Sequence, residues 1–491
     1  MRVCLLTDAY AGSASPLKEV DLPCDPRPWL PGAEWTWVEL DKATAVPRVM
    51  DLTHDGYDVF FNLCDGSWDE DRPGIEVVQA LERLEQAYTG ATPEFYDPSR
   101  EAMKRVCHAW GIDTPGYVVA AADPDVERAA DTLRFPLIVK HPNSYSSLGM
   151  TRESRVETAA ALREQFTRMR EAYGGALIEE FVEGRECTVL VAENPDDARR
   201  PLTYTPVEWI FPPGETFQHF DVKWHDWWMV PGKPVEDPDL DARLREDSAR
   251  FFRGLRGTGF ARTDVRVDAD GRAWMLEINP NCGIYYPESA PSGADLALMF
   301  DPAGYEGFTE RLVTAAIRRR DRRRRPWSVR HGRDNGYGIH ARRAIHEGER
   351  ILAYEATPHR LVTRSRVERD WGEPDATWFR SYGWPLTDEV WVVWSHDPEE
   401  WRPINHSCDP NAWLDGLDVV ARRPIEPDEE ITMDYATFCN ELMPCFECAC
   451  GAPGCRRTIT GEDHLADFVA RYGDHVSDYV RRKRQEAGVV G

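Results

Sequence analysis

Four cysteines in the second half of the chain carry the clearest chemistry. Cys448, Cys450 and Cys455 form a C-x-C-x4-C cluster in CACGAPGC, and Cys408 precedes them in RPINHSCDPN, Arg402 to Asn411. Four thiolates are the donor set of a closed tetrahedral zinc site, with Zn–S near 2.3 Å. No position stays open for a reacting water, so the expected role is structural. Cys439 and Cys445 read as spare thiols, with Cys445 the alternative ligand. Asn405 and His406 stand just before Cys408, and Asp-Pro-Asn closes the run as a turn signal. That run lacks apolar periodicity and is rich in groups that demand partners.

A second set lies in the first half. Lys140 ends the apolar run FPLIVK and is followed by Ser144, Ser146, Ser147 and Gly149. A lysine leaving a strand beside a small-residue loop can hold phosphate, because backbone N–H groups approach the oxygens closely and the ammonium adds charge. The plainer reading is a solvated strand-end lysine. In ALIEEFVEGRECTVLV, Glu179, Glu180 and Glu186 frame a strand–turn–strand. Carboxylates there can accept hydrogen bonds from an adenine amino group and ribose hydroxyls. GFARTDVRVDADGRAWMLEINPNCG supplies Arg262, Asp264, Glu277 and Asn279. A hairpin turning at Asp270-Gly271 brings Asp264 beside Glu277 and Asn279. Converging oxygen donors suit Mg2+, which keeps waters and shares phosphate oxygens. A surface hairpin face is the alternative, but LEINPN embeds acid and amide among apolar residues, where they are costly to bury unpaired.

The elements that must position these residues are those of a large globular chain. Its 491 residues suggest two to four domains, at 42% apolar and 29% charged. A net charge of -26 argues against non-specific nucleic-acid or membrane binding. No apolar stretch reaches the ~18 residues of a membrane span, and the start MRVCLLTDAY is too short for a signal peptide. The other cysteines lack framework spacing, which fits a reducing, cytoplasmic setting. The expected fold class is multidomain: α/β plus α+β in the N-terminal part, and β-rich in the C-terminal part. The expected layout is an α/β domain over 1–95, a nucleotide-binding domain over 96–317 and an Arg-rich linker over 318–326. A β-rich domain then spans 327–440, a zinc loop 441–461, and a helix with a polar tail 462–491. Val3 to Leu6 and Val59 to Leu63 read as buried strands, and Ile75 to Leu84 has helical spacing. Strands are expected at 351–352, 391–394 and 419–420, and a helical stripe at Leu465, Phe468, Val469, Tyr472 and Val476.

NHSCDPN, then EITMDY (Glu430 to Tyr435) and the cysteine cluster, resemble the SET domain with its post-SET zinc loop, and Gly336-Tyr337-Gly338 matches that family's opening glycine motif. The resemblance covers roughly 327–461. It implies an S-adenosylmethionine-dependent protein-lysine methyltransferase acting on a peptide or protein lysine. Gly336, Tyr337, Gly338, Asn405 and His406 would bind the methyl donor, and Tyr435 would be the catalytic tyrosine. Tyr354, Trp378 and Tyr382 are candidate walls of a dry channel that keeps the target amine neutral; core packing explains each equally well. An aromatic often found after the cysteine cluster is absent from CRRTITG.

The first-half blocks, in their order and spacing from about Val3 to Leu312, resemble the D-alanine–D-alanine ligase branch of the ATP-grasp ligases. DVFFNLCDGSWDEDRPGIEVVQALERLEQAYTG resembles the first domain of that branch. The resemblance implies that Lys104 and Lys140 contact ATP, with Ser146, Ser147 and Gly149 as the loop over its phosphates. Glu179 and Glu180 would lie at the adenine and Glu186 at the ribose. Lys223, in FQHFDVKW, would bind phosphate. Arg262 would stabilise the transferring phosphoryl group, and Asp264, Glu277 and Asn279 would hold Mg2+. The implied reaction joins a carboxylate to an amine through an acyl phosphate, with amino acids or small peptides as substrates. Departures fall on the substrate side: Cys64-Asp65 stands where His-Gly is usual, Trp224 where Tyr is expected, and CGIYYPES in the substrate loop. They imply a ligase other than a cell-wall D-alanine ligase. The expected function is a fusion of ligase and methyltransferase. The alternatives are a methyltransferase with a non-catalytic nucleotide-binding module, and a ligase whose SET half is a scaffold.

Overall fold

The computed structural model describes residues 1–9, 18, 22–66, 70–143, 149–197, 199–219, 230–332, 336–355 and 359–489. The chain divides into two compact units, Met1–Arg323 and Arg324–Gly491.

The first unit opens with β1 (Arg2–Asp8), β2 (Glu34–Leu40), α1 (Ala45–Leu52), β3 (Val59–Asn62) and α2 (Ile75–Arg83). The three strands are parallel in the order β2-β1-β3, with Val3 opposite Val59 and Leu5 opposite Phe61. A parallel sheet is covered on both faces, which is why its strands are apolar runs rather than alternating ones. Cys4 and Leu6 pack with Val49, Leu52, Val78 and Leu81 of the helices. Val3 and Leu5 point the other way and pack with Phe308, Leu312 and Val313.

Next come α3 (Arg100–Trp110), β4 (Tyr117–Ala120), α4 (Asp123–Thr132), β5 (Leu137–Lys140), β6 (Arg155–Val156), α5 (Ala159–Tyr173) and β7 (Ala176–Glu180). Ser99 caps α3 by accepting the N–H of Ala102. The strands form an antiparallel sheet, β4-β7-β5-β6. A larger sheet, β11-β10-β8-β12-β13 with β9 on β8, is built from β8 (Arg185–Ala192), β9 (Leu202–Thr203), β10 (Val207–Trp209), β11 (Gly232–Pro234), β12 (Phe260–Val267) and β13 (Ala273–Pro280). It is flanked by α6 (Pro238–Gly254), α7 (Gly293–Phe300) and α8 (Gly304–Arg323). The β12–β13 hairpin turns where Gly271 takes a φ of +77°, a conformation open to glycine, and it sets Asp264 opposite Glu277 and Arg262 opposite Asn279.

The arginine run does not begin a linker at 318. Residues 318–323 form the last turns of α8, and Arg318, Arg319, Arg322 and Arg323 pair with acids distant in the sequence. Arg319 is buried, pairs with Glu193 and donates to the carbonyl of Tyr88 at 2.6 Å. Arg318 pairs with Asp196 and Arg323 with Glu82.

The second unit consists of short strands. These are β14 (Trp327–Gly332), β15 (Gly336–Ala341), β16 (Arg350–Leu352), β17 (Arg360–Thr363), β18 (Trp384–Pro385), β19 (Val390–Val393), β20 (Asn405–His406), β21 (Ala412–Asp415), β22 (Asp418–Ala421), β23 (Thr432–Met433), β24 (Phe446–Glu447) and β25 (Thr458–Ile459). They form the sheets β14-β15, β16-β22-β21, β17-β19-β18, β20-β23 and β24-β25. Between them lie α9 (Arg364–Asp370), α10 (Asp375–Tyr382) and α11 (Pro398–Trp401). The core gathers Trp327, Ile339, Ile351, Leu414, Val419 and Ile431.

The C-terminal stripe is not one helix. Asp463–Leu465 and Asp467–Tyr472 are 3-10 turns, and Leu465 is exposed. The α-helix comes later, as α12 (Asp478–Glu486), in the stretch expected to be a polar tail. Ser477 caps it, Tyr479 and Val480 bury its inner face, and Arg484 donates to the carbonyls of His464 and Ala466. Among the described residues no helix is long and apolar enough to cross a membrane.

Candidate active sites

In the first unit a cleft has apolar walls, including Ile138, Met150, Phe181, Phe217 and Leu276, and a strongly charged lining. Three buried groups form one end. Glu179 on β7 sits between Lys104 of α3 and Lys140 at the tip of β5, with Lys140 Nζ 2.7 Å from its carboxylate. Lys104 also donates to Thr114 Oγ1 at 2.9 Å and to the Leu276 carbonyl at 3.1 Å. Burial alone would raise the Glu179 carboxyl, but the two ammonium groups outweigh it and hold it down at about 2. Burial lowers Lys104, against the pull of Glu179.

The other glutamates are differently engaged. Glu180 lines the cleft, but its carboxylate is held by Arg134, with Nη2 at 2.7 Å. Glu186 lies 3.0 Å from Arg266, whose guanidinium also donates to the carbonyls of Val182, Gly184 and Thr216. Burial raises Glu186 despite that partner. Gly149 follows the serine loop, and its carbonyl accepts Arg168 at 2.9 Å. Ser146, Ser147 and Lys223 lie outside the described residues.

The β12–β13 ribbon supplies the opposite end. Arg262 binds Asp264 in a two-pronged pair at 2.9 and 3.0 Å, which raises the guanidinium although burial opposes it. Asn279 Nδ2 and Thr188 Oγ1 both donate to Asp264 at 2.9 Å. Glu277 pairs with Arg100. Arg100 stands four residues before Lys104, so both lie on one side of α3. That spacing was the available signal for Arg100, a residue the motif reading omits; Arg266 left no such signal.

In the second unit a groove runs past Gly336, Tyr337, Asn405, His406 and Tyr435. β20 and β23 pair in parallel, Asn405 with Thr432 and His406 with Met433, so the NHSC and DY segments lie side by side. Asn405 Nδ2 donates to the Tyr337 carbonyl at 3.2 Å and to Glu430 at 2.7 Å. Gly338 completes this corner: a Cβ there would fall 2.5 Å from Glu430 Oε1 and 2.9 Å from Asn405 Nδ2. His406 Nδ1 accepts the N–H of Tyr435 at 3.2 Å. Burial lowers His406 to about 4 against the pull of Asp434, so the ring is neutral near pH 7 with its proton on Nε2. Tyr435 donates to the Ile404 carbonyl at 2.9 Å, and burial raises its phenol. Tyr354, Trp378 and Tyr382 line the same groove, where Trp378 and Tyr382 rings lie 4.3 Å apart.

The four thiols converge. The Sγ atoms of Cys408, Cys448, Cys450 and Cys455 all lie within 4.8 Å of one another, close to the ~3.8 Å edge of a tetrahedron with 2.3 Å Zn–S bonds. Backbone N–H groups of Arg456 and Arg457 point at Cys408 and Cys455 at 3.4 Å. Cys445 is exposed and outside the set. Asp434, 1% exposed, ties this loop to the groove. It accepts two bonds of 2.7 Å from Arg456, one of 2.7 Å from Tyr472 and one of 3.2 Å from Arg471. Burial would raise Asp434, but these donors hold it low.

A family model described as "D-ala D-ala ligase C-terminus" matches residues 108–291, and one described as "SET domain" matches 336–436. The D-alanine–D-alanine ligase of Gloeobacter violaceus is 31% identical over 241 residues, 47% of this chain and 72% of the relative. That of Bordetella petrii is 30% identical over 254 residues, 51% of this chain and 74% of the relative. The chain belongs to the D-alanine–D-alanine ligase family. It also carries a SET domain. The enzyme of Cupriavidus necator is 27% identical over 270 residues, 55% of this chain and 78% of the relative. Within the ligase-family unit, the charged lining of the cleft falls inside the span that its family model matches, except for Arg100 on α3. In the SET unit, Tyr435 lies at the end of the matched span, and Cys448, Cys450 and Cys455 lie beyond it.

Proposed function

We propose that the chain holds two reaction centres, an ATP-dependent carboxylate–amine ligase in the first unit and an S-adenosylmethionine-dependent lysine N-methyltransferase in the second. The observation that carries the ligase reading is the cleft itself. Its apolar walls suit a purine, and its ends present lysines and a hairpin bearing Arg262, Asp264, Glu277 and Asn279. Lys104 and Lys140 hold phosphate oxygens, and Glu179 fixes both ammonium groups. Glu180 and Glu186 frame the base and ribose end; Gly149, Ser146, Ser147 and Lys223 cover the phosphates. Oxygens of Asp264, Glu277 and Asn279 fit Mg2+ by donor type, and the ion would neutralise phosphate charge there. A substrate carboxylate oxygen attacks the γ-phosphorus and ADP leaves. The lone pair of a neutral amine then attacks the acyl carbon, phosphate leaves, and the amine gives up a proton. Arg262 stabilises the charge on the transferring phosphoryl group, and positioning supplies the rest.

The relatives' names give D-alanine as what they join. The departures at Cys64-Asp65 and CGIYYPES support a different amino substrate. The test is ADP release from Mg-ATP across a panel of amino acids. Release that depends on an added amino acid supports the ligase, whereas Mg-ATP binding without release supports a nucleotide-binding module. That second reading draws on one observation: Arg262 and Arg100 are both held by carboxylates of the ribbon.

The methyltransferase reading rests on the parallel β20–β23 pair, which sets Asn405, His406 and Tyr435 along one groove. The close-packed Gly338 corner fits a cofactor that approaches the backbone. S-adenosylmethionine, when bound, supplies the activated methyl. Gly336, Tyr337, Gly338, Asn405 and His406 bind and orient it, and Tyr435 aligns the incoming amine. The aromatic walls exclude water, so a peptide or protein lysine arrives neutral. Cys408, Cys448, Cys450 and Cys455 fit a structural zinc. Cysteines without the spacing of a disulfide framework favour a reducing, cytoplasmic setting. Methyl transfer to a lysine peptide that is lost in Tyr435→Phe, with cofactor binding retained, tests this half.

A further inference from the structure

A second cavity of the ligase-family unit, about 340 Å³, opens at the carboxyl ends of β1, β2 and β3. That is the size of a small-molecule pocket, and strand carboxyl ends are where open α/β sheets bind ligands. It adjoins the cleft described above. Phe260, in its wall, lies two residues before Arg262 on the same face of β12, a step of about 7 Å. A molecule seated there can present its amine to the phosphoryl-transfer end.

Its lining is one-sided in charge. Asp8, Glu39 and Asp65 contribute carboxylates, and no Lys, Arg or His stands among the described lining residues. Arg72, buried behind the wall, binds Asp8 at 3.1 Å, Asp65 at 2.5 Å and Glu70 at 2.8 Å. Trp37 adds an aromatic face that already accepts a cation: the Arg27 guanidinium lies 4.7 Å over its ring. A separate feature calls for an acceptor. Asn281 lines the cavity and is only 8% exposed. Its Oδ1 accepts the N–H of Ala91 at 2.8 Å, and its Nδ2 meets no acceptor among the described residues. A buried donor left so is costly, and a ligand carboxyl or carbonyl oxygen would remove that cost.

We infer that this cavity binds the amino substrate and selects an amino acid with a second cationic group on its side chain, a diamino acid rather than a small neutral one. The carboxyl end meets Asn281, the side-chain ammonium meets the acidic rim, and the α-amine in its neutral form is left to attack the acyl phosphate. This rests on the ligase reading of the neighbouring cleft.

The test is calorimetric binding to the full chain of lysine and of norleucine, which has the same backbone without the terminal amine. Both enantiomers are titrated, with and without saturating Mg-ADP. One enantiomer of lysine is expected to bind at least ten-fold tighter than the matching norleucine, and Glu39→Gln is expected to reduce that preference several-fold. Equal or tighter binding of norleucine, no binding of either, or a preference unchanged in Glu39→Gln overturns the inference. Mg-ADP binding is read in the same titrations. Its loss strikes at the ligase reading, whereas its presence beside a failed lysine preference strikes at the substrate class alone.

Discussion

Lys140 and Glu179 face each other at 2.7 Å, and both side chains are almost wholly buried, Glu179 to within 1% of complete. Lys104 closes the same carboxylate from the other side. A buried carboxylate held at about 2 contributes stability that is complete above its ordinary value of 4.5 and is lost as pH falls toward 2. Glu179→Gln leaves two buried ammonium groups without their counter-charge. The expected loss at pH 7 is about 3–5 kcal/mol. Denaturant unfolding at pH 7 and pH 3 checks the sign: the gap between parent and variant shrinks at pH 3.

Asp264 gathers Arg262, Asn279 and Thr188 at one point of the ribbon. Asp264→Asn keeps the shape and removes the charge. The midpoint of a Mg2+ titration, read as ATP-dependent thermal stabilisation, is expected to rise at least ten-fold. An unchanged midpoint would remove Asp264 from the metal position.

Gly338 has no room for a side chain beside Glu430 and Asn405. Gly338→Ala is expected to weaken S-adenosylmethionine binding at least ten-fold by calorimetry and to leave the Mg-ATP response of the first unit intact. Retained affinity would put the methyl donor elsewhere in the groove.

The thiol set predicts one zinc per chain. Cys450→Ser should reduce bound zinc measured by atomic emission to none, and chelation should abolish S-adenosylmethionine binding, because Arg456 connects the loop to Asp434 beside Tyr435. Zinc retained in Cys450→Ser would assign the fourth ligand to another group.

Much of this arrangement is legible in residue order because it is local. Val3 to Leu6 announces a buried parallel strand by its unbroken apolar run, Asp270-Gly271 announces the hairpin, and the cysteine spacing announces the thiol cluster. What sequence leaves out is partnership at a distance. Arg318 to Arg323 reads as a free basic linker because Glu193, Asp196 and Glu82, which hold it, lie far up the chain. The pairing of Glu180 with Arg134 is likewise invisible in residue order, because the two lie far apart in the chain. Asp434 sits in a legible motif, but its clamp of Arg456, Arg471 and Tyr472 forms only on folding. The C-terminal stripe at 465–476 has helical spacing, yet the helix starts where Ser477 caps it.

The most direct measurement of the two-centre account is a thermal melt of the full chain with Mg-ATP and with S-adenosylmethionine, each added alone. A ligand that binds only the folded state at 100 times its Kd stabilises by about 2.7 kcal/mol. The account predicts that both raise the melting temperature, that Lys140→Ala abolishes only the Mg-ATP shift, and that Asn405→Ala abolishes only the S-adenosylmethionine shift. Failure of either ligand to shift the parent chain would contradict it and leave a single centre.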